Sequence, residues 1–261
     1  MQLALVALLA AACANKTAPS PPASTTQPRA SQDLTTMVIN RFPHDRGAFT
    51  QGLLYANGKL YESTGLVGRS SLRRVDLTTG QVETEKTVEA PLFAEGLALA
   101  GDELFQLSWQ NGRALVWRLD TFERVREHSY SGEGWGLTFD GQRLIMSDGG
   151  PRLTFRDLKT FAASGGIDVT RAGRPVPNLN ELEWAEGHVY ANVWQSESIV
   201  RIDPATGEVT ATIDASGLLS PEERQNTDVL NGIAYVPERG TFFITGKYWP
   251  RLFEVKFVPR S

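Results

Sequence analysis

The chain has 261 residues, of which 41% are hydrophobic and 21% charged, with a formal net charge of −4. This is the composition of an ordinary globular protein, and the length suits one large all-β unit as well as two small domains. The negative balance and the absence of a basic stripe exclude a nucleic-acid surface; the one dense run, Arg69 to Arg74, is short and reads as a solvated strand edge.

Residues 1–13 read as a signal or lipoprotein segment. Leu3 to Ala12 is an unbroken apolar run, too short for the roughly 20 residues that span a bilayer but matching the core of a secretory signal. Two endings fit it. Leu9-Ala10-Ala11-Ala12-Cys13 resembles a lipoprotein box, in which Cys13 is lipidated and the protein is exported to the periplasm or envelope on a membrane anchor. Ala12-Cys13-Ala14 is alternatively a small-x-small cleavage site, which gives a secreted protein. Cys13 is the single cysteine, so no disulfide framework exists. Residues 14–35, rich in Pro, Ala, Ser and Thr, read as a flexible tether that buries too little apolar surface to order itself. Residues 36–261 then form the folded domain, expected to be a monomer.

Within that domain a short motif recurs: a polar or aromatic residue, usually Gly, then Leu or Ile. It appears as Gln51-Gly52-Leu53, Glu95-Gly96-Leu97, Trp135-Gly136-Leu137, Asn180-Glu181-Leu182 and Asn231-Gly232-Ile233. The spacing, about 40–50 residues, is that of propeller blades. Each motif is followed by a turn signal such as Asn57-Gly58 or Asp140-Gly141, a second β-rich run (Leu60 to Ser63 in the first repeat) and a third (Leu72 to Val75). Four of the third runs close with Asp and a turn, at Asp76, Asp120, Asp157 and Asp203. The pattern predicts an all-β, five-bladed propeller, an architecture that protects its edges by radial repetition. Thr36 to Phe42 precedes the first repeat and is expected to supply the outer strand of the last blade, closing the ring. Residues 165–178 and 215–227 break the pattern and read as insertions, the second with a short helix near Pro221 to Arg224.

Aligned repeats give columns, and columns give geometry. Gln51, Glu95, Trp135, Asn180 and Asn231 begin the innermost strands and are expected to ring one mouth of the channel. Their chemical variety argues for a site with several roles. A second column, Gly65, Trp109, Gly149, Trp194 and Lys247, is expected to wall a pocket, with Ser147, Asp148, Asn192 and Trp249 beside it. Blander readings stand next to these: the tryptophans as packing between blades, Glu95 as a satisfied structural carboxylate, Asn180 and Asn231 as turn-bonding residues, Asp148 as a turn residue. His44, His128 and His188 are too far apart in the repeat frame for metal-ligand spacing. No Ser-His-Asp arrangement, P-loop or dinucleotide fingerprint is present.

Several of these segments resemble the plant and bacterial type of glutaminyl-peptide cyclotransferases. They are Phe42-Pro43-His44-Asp45 with Ala48 to Leu53, Tyr61 to Gly65, Phe93 to Gly96, Asn180 to Trp184, Tyr190 to Trp194, Leu230 to Gly232, and Thr245 to Pro250. The resemblance runs from about residue 37 to 257 and implies a five-bladed propeller, in agreement with the repeat count. It implies conversion of the N-terminal glutamine of peptides to pyroglutamate with loss of ammonia. It matches Glu95 to the family's general acid/base glutamate and places Asn180 and Lys247 beside it as catalytic residues. Gln51, Trp109, Trp135, Glu181, Trp194 and Asn231 fall on cavity-lining positions. No cofactor and no catalytic metal are implied, and a structural calcium ion is left open. Two rival readings are a metal-dependent lactonase or esterase, with Glu95, Asn180, Asn231 and Asp148 as calcium ligands, and a non-catalytic, peptide-binding envelope propeller.

Overall fold

The computed structural model describes residues 31–260, and Cys13 with the signal segment lies outside them. The described chain is all strand and turn. After β1 (Gln32–Pro43) come β2 (Thr50–Ala56), β3 (Lys59–Thr64), β4 (Ser71–Val75) and β5 (Val82–Thr87), paired in that order as one four-stranded antiparallel sheet. The second sheet is β6 (Ala94–Ala100), β7 (Glu103–Ser108), β8 (Arg113–Arg118) and β9 (Arg124–Ser129). The third is β10 (Leu137–Phe139), β11 (Leu144–Met146), β12 (Arg152–Arg156) and β13 (Ala163–Asp168). A small hairpin, β14 (Thr170–Arg171) and β15 (Arg174–Pro175), leads into the fourth: β16 (Leu179–Ala185), β17 (His188–Val193), β18 (Ser198–Ile202) and β19 (Val209–Asp214). The fifth is β20 (Leu230–Val236), β21 (Thr241–Gly246) and β22 (Arg251–Pro259), completed by β1.

The first strands β2, β6, β10, β16 and β20 touch in that cyclic order, β20 meeting β2 again, so five blades close around an axis. The recurrent glycine of the motif follows from this approach. A Cβ on Gly52 would lie 2.6 Å from the Leu97 nitrogen, and one on Gly96 would lie 2.5 Å from the Leu137 nitrogen. A Cβ on Gly136 would strike the Asn180 carbonyl. Inner strands this close leave no room for a side chain pointing at the neighbouring backbone. Hydrogen bonds cross at the same level: the Gly96 N–H donates to the Trp135 carbonyl at 2.7 Å, Ser147 Oγ donates to the Asn180 carbonyl at 2.7 Å, and the Gly232 N–H donates to Asn192 Oδ1 at 2.9 Å. Ser147 and Asn192 therefore stitch blades together. Apolar clusters fill the spaces between adjacent sheets, as with Leu54, Leu72, Leu97, Leu104 and Trp117 between the first two.

The ring closes as the sequence predicts. β1 runs antiparallel to β22, with Thr36 opposite Phe257 and Phe42 opposite Leu252. It starts earlier than expected, at Gln32, within the span assigned to the tether. Gln32 to Thr35 pair in parallel with Ala211 to Asp214 of β19, and Leu34 is buried. One strand thus joins the outer edges of the fourth and fifth blades. The Asp-turn reading holds for Asp76, Asp157 and Asp203, whose Oδ1 atoms accept backbone N–H groups two residues on. Two expectations are corrected. Residues 165–168 are not an insertion but the end of β13, disguised by Gly165 and Gly166. No helix forms at Pro221 to Arg224: Ser220 and Glu223 cap one turn reciprocally, and Asn226, with φ 61°, reverses the chain before a second turn can add to it.

A charged clip fastens the closure. His44 lies between β1 and β2, its side chain nearly fully buried. Its Nδ1 faces the Trp249 carbonyl at 2.8 Å and its Nε2 faces Glu62 Oε1 at 3.0 Å. With acceptors at both nitrogens the ring must donate from both, as an imidazolium. Burial opposes that charge, but the Glu62 carboxylate outweighs it, and the His44 pKa is raised above 6.5. Burial likewise opposes charge on Glu62, yet His44 and Arg73 hold its pKa below the ordinary value. The His44 contribution is therefore complete below its unfolded pKa and is lost as pH rises through the raised folded value. The Glu62 contribution is present above its unfolded pKa and is lost as pH falls through the lowered one. Denaturant titrations across pH should show stability falling as pH rises above 6.5, a slope absent from His44→Gln, while His44→Ala should lose about 3 kcal/mol where the imidazolium is intact.

Candidate active site

Each inner strand begins at the same end of the channel, so the first residues of the motifs gather at one mouth. A cavity of about 320 Å³ opens there, lined by Phe49, Gln51, Phe93, Glu95, Trp109, Trp135, Asn180, Trp194 and Lys247. Its volume is at the small end of ligand pockets. Of the predicted site residues, Gln51, Glu95, Trp109, Trp135, Asn180, Trp194 and Lys247 are brought together; Glu181 and Asn231 are not.

Glu95 is the chemical centre. It is only 5% exposed, and it has no ion pair among the described residues. Gln51 Nε2 donates to its Oε1 at 2.9 Å. Burial drives its pKa well above 4.5; Lys247 pulls the other way, and Glu133 adds to the rise. Lys247 stands near enough to feel that carboxylate, but burial dominates and lowers its pKa from 10.5. Its ammonium sits 4.5 Å from the centre of the Phe49 ring, a cation–π contact that replaces part of the lost hydration. Asn180 brings a carboxamide to the wall whose oxygen has no partner among the described residues.

The walls are aromatic and interlocked. Trp135 and Trp194 meet edge to face at 5.5 Å, and Phe93 meets Trp109 at 5.6 Å and Phe49 at 6.0 Å. The glycines of the second column make room for these rings rather than for solvent. A Cβ on Gly149 would lie 2.7 Å from the Trp135 indole, and one on Gly65 would collide with the Phe93 ring. Trp249 is buried beneath the loop that carries Lys247, where its Nε1 donates to the Asp228 carbonyl at 3.0 Å.

The two predicted residues outside the cavity have different work. Asn231 lies behind Gln51: its Nδ2 donates to Gln51 Oε1 and to the Thr50 carbonyl, both at 3.1 Å. This fixes which end of the Gln51 carboxamide faces Glu95. Glu181 occupies the position that is glycine in the other four motifs. Its carboxylate reaches into the channel, taking the Leu53 N–H at 3.2 Å and the Ile233 N–H at 2.8 Å. It thereby joins the fourth blade to the first and fifth. Neither a column of aligned residues, which carries Asn231, nor a family resemblance, which carries both, gives side-chain reach.

Phe49, Phe93 and Glu133 were missed. They share a column two residues ahead of Gln51, Glu95 and Trp135, and alternation along the chain puts such residues on one face. Asp148, a calcium ligand in the rival reading, is exposed and bonds its own turn through the Gly150 N–H at 2.9 Å. Asn231 lies behind Gln51, so of that reading's four ligands only Glu95 and Asn180 line the cavity.

The fold and pocket define a β-propeller protein with a desolvated carboxyl group and an ammonium facing one small, aromatic-walled chamber on the axis. A family model described as glutamine cyclotransferase matches residues 4–257. The glutaminyl-peptide cyclotransferase of Arabidopsis thaliana is 44% identical over 230 residues, which span 86% of this chain and 72% of the plant protein. The crystal structure of Myxococcus xanthus glutaminyl cyclase aligns with a TM-score of 0.81 at 42% identity, covering 88% of this chain and all of that one. The chain belongs to the glutamine cyclotransferase family.

The two outlying residues should separate by experiment. Asn231→Ala takes a donor from the Thr50 carbonyl and Gln51 Oε1, so it should cost about 1–3 kcal/mol and also lower the turnover of the folded enzyme, because Gln51 is freed to rotate. Glu181→Ala leaves two buried N–H groups without acceptors and should cost about 2–4 kcal/mol in denaturant unfolding.

Proposed function

We propose that this protein closes the N-terminal glutamine of peptides and proteins into pyroglutamate with release of ammonia, and that Glu95 carries the proton between the two nitrogens. The observation that supports this most directly is a single carboxyl group, desolvated and without an ion pair, held by a neutral amide in a chamber that fits one residue side chain. The α-amine, in its neutral form, attacks the side-chain carbonyl carbon. A carbon–nitrogen bond forms, and the amine proton passes to the Glu95 carboxylate. The same proton then goes to the side-chain nitrogen, the bond from that nitrogen to carbon breaks, and ammonia leaves. A carboxyl group with a raised pKa suits both halves of such a shuttle near neutrality. Lys247 and the Asn180 carboxamide hold the oxygen as it gains negative charge. The rings of Trp109, Trp135 and Trp194 hold the glutamine side chain folded back on its own amine, which is the orientation that ring closure needs.

The reading needs no metal, and it puts the enzyme outside the cytoplasm, tethered through Cys13. Retention of activity in chelator, and loss of membrane association in Cys13→Ser, are the corresponding tests.

Mass spectrometry of a peptide beginning in glutamine should show the loss of ammonia, and Glu95→Gln should slow turnover about 10²–10⁴-fold with the fold intact. The pH profile should be a bell. Its acid limb reports Glu95, which must be ionised to accept a proton and whose pKa lies above the ordinary 4.5, together with the substrate's α-amine, which must be neutral; a substrate series with different amine pKa values separates the two. Its alkaline limb reports loss of the Lys247 charge and lies below 10.5. A Glu95→Gln variant as active as wild type would remove Glu95 from the reaction.

A further inference from the structure

Glu133 lies on the loop between β9 and β10, two residues before Trp135. Its Oε2 accepts the Trp109 indole N–H at 2.7 Å and the Trp135 indole N–H at 2.9 Å. Its Oε1 accepts Gln110 Nε2 at 3.0 Å. The two indoles belong to different blades, and both line the cavity. An indole ring turns readily about its outer torsion, so a shared acceptor fixes the angle between two walls that no covalent link relates. The clamp extends through Trp135 to Trp194, which meets it edge to face.

The same carboxylate has an electrostatic consequence. Its three donors are all neutral, and they hold Glu133 ionised, with a pKa below the ordinary range, the Trp135 bond first among the causes. Its uncompensated charge faces Glu95 and opposes ionisation there. The other ionisable groups near Glu95 are Lys247 and Tyr130, whose hydroxyl is bonded to the Ser108 carbonyl and whose ring faces Arg156.

We propose that Glu133 is a positioning residue for ring closure, spacing the Trp109 and Trp135 walls through one shared oxygen. The inference rests on the cyclase reading above and adds to it a residue whose geometry and charge can be tested apart.

Two substitutions in the full chain separate them. Glu133→Gln keeps an oxygen for both indoles, giving up the peripheral Gln110 contact, and removes the charge. Removing a negative charge lowers the Glu95 pKa, so the acid limb should move to lower pH while KM for a glutaminyl peptide stays within about twofold of wild type. Glu133→Ala removes charge and clamp together, so the limb should move similarly and KM should rise about tenfold. The exposed Asp102→Asn should do neither. A KM unchanged in Glu133→Ala, or one that rises as much in Glu133→Gln, would overturn the proposal. Indole N–H resonances of Trp109 and Trp135 supply a readout independent of turnover. They should move upfield in Glu133→Ala by more than in Glu133→Gln, so a failed clamp is distinguishable from a failed cyclase. Should Glu133→Ala not fold, Glu133→Asp takes its place: it keeps the charge but is too short to hold both indoles, so KM should rise and the resonances should move, and no change in either would overturn the proposal.

Discussion

The close approach of five inner strands around one axis governs the rest of this molecule. Backbone meets backbone at a distance that admits no side chain, so the motif keeps glycine at Gly52, Gly96 and Gly136, while Gly232 is held at a φ of 119° that side chains rarely adopt. The residue just before each glycine then stands at the mouth of a channel too narrow for bulk solvent. In one repeat the glycine is replaced, and Glu181 uses the freed direction to fill the axis. Behind the chamber the axis is therefore filled by a set of hydrogen bonds rather than a hydrophobic plug.

Three carboxyl groups lie along that axis, and their surroundings divide the labour. Glu181 is satisfied by two backbone N–H groups, and burial together with Glu183 raises its pKa. Glu183 accepts the Tyr235 N–H at 2.6 Å, and burial pushes its pKa up to about 8. Both are held by backbone that cannot move without opening a seam between blades. Glu95 is held by a single side-chain amide, itself oriented by Asn231. It is the one group whose protonation can change without disturbing the ring, which is what a proton carrier requires.

Much of this was legible in the residues. The spacing of five motifs disclosed the blades, and the strand-like run Thr36 to Phe42 before the first of them disclosed how the ring closes. The first and second columns named seven of the nine residues that line the cavity. The misreadings share one cause: a column fixes where a residue starts, while burial and reach depend on neighbours distant in sequence. Glu181 and Asn231 stand at the right level and point to the wrong place for lining. Glu133 sits in a loop whose importance depends on where two indole nitrogens from separate blades converge. The helix expected at Pro221 to Arg224 has the caps of a helix but not its length, because Asn226 turns the chain away.

The ring-closing strand is held twice. It pairs with β22 from Leu34 opposite Pro259 to Pro43 opposite Arg251, and its first residues also run beside β19, with Gln32 opposite Ala211 and Thr35 opposite Asp214. A pull on the chain ahead of Gln32 is therefore shared between two blades before it can peel away the strand that completes the ring.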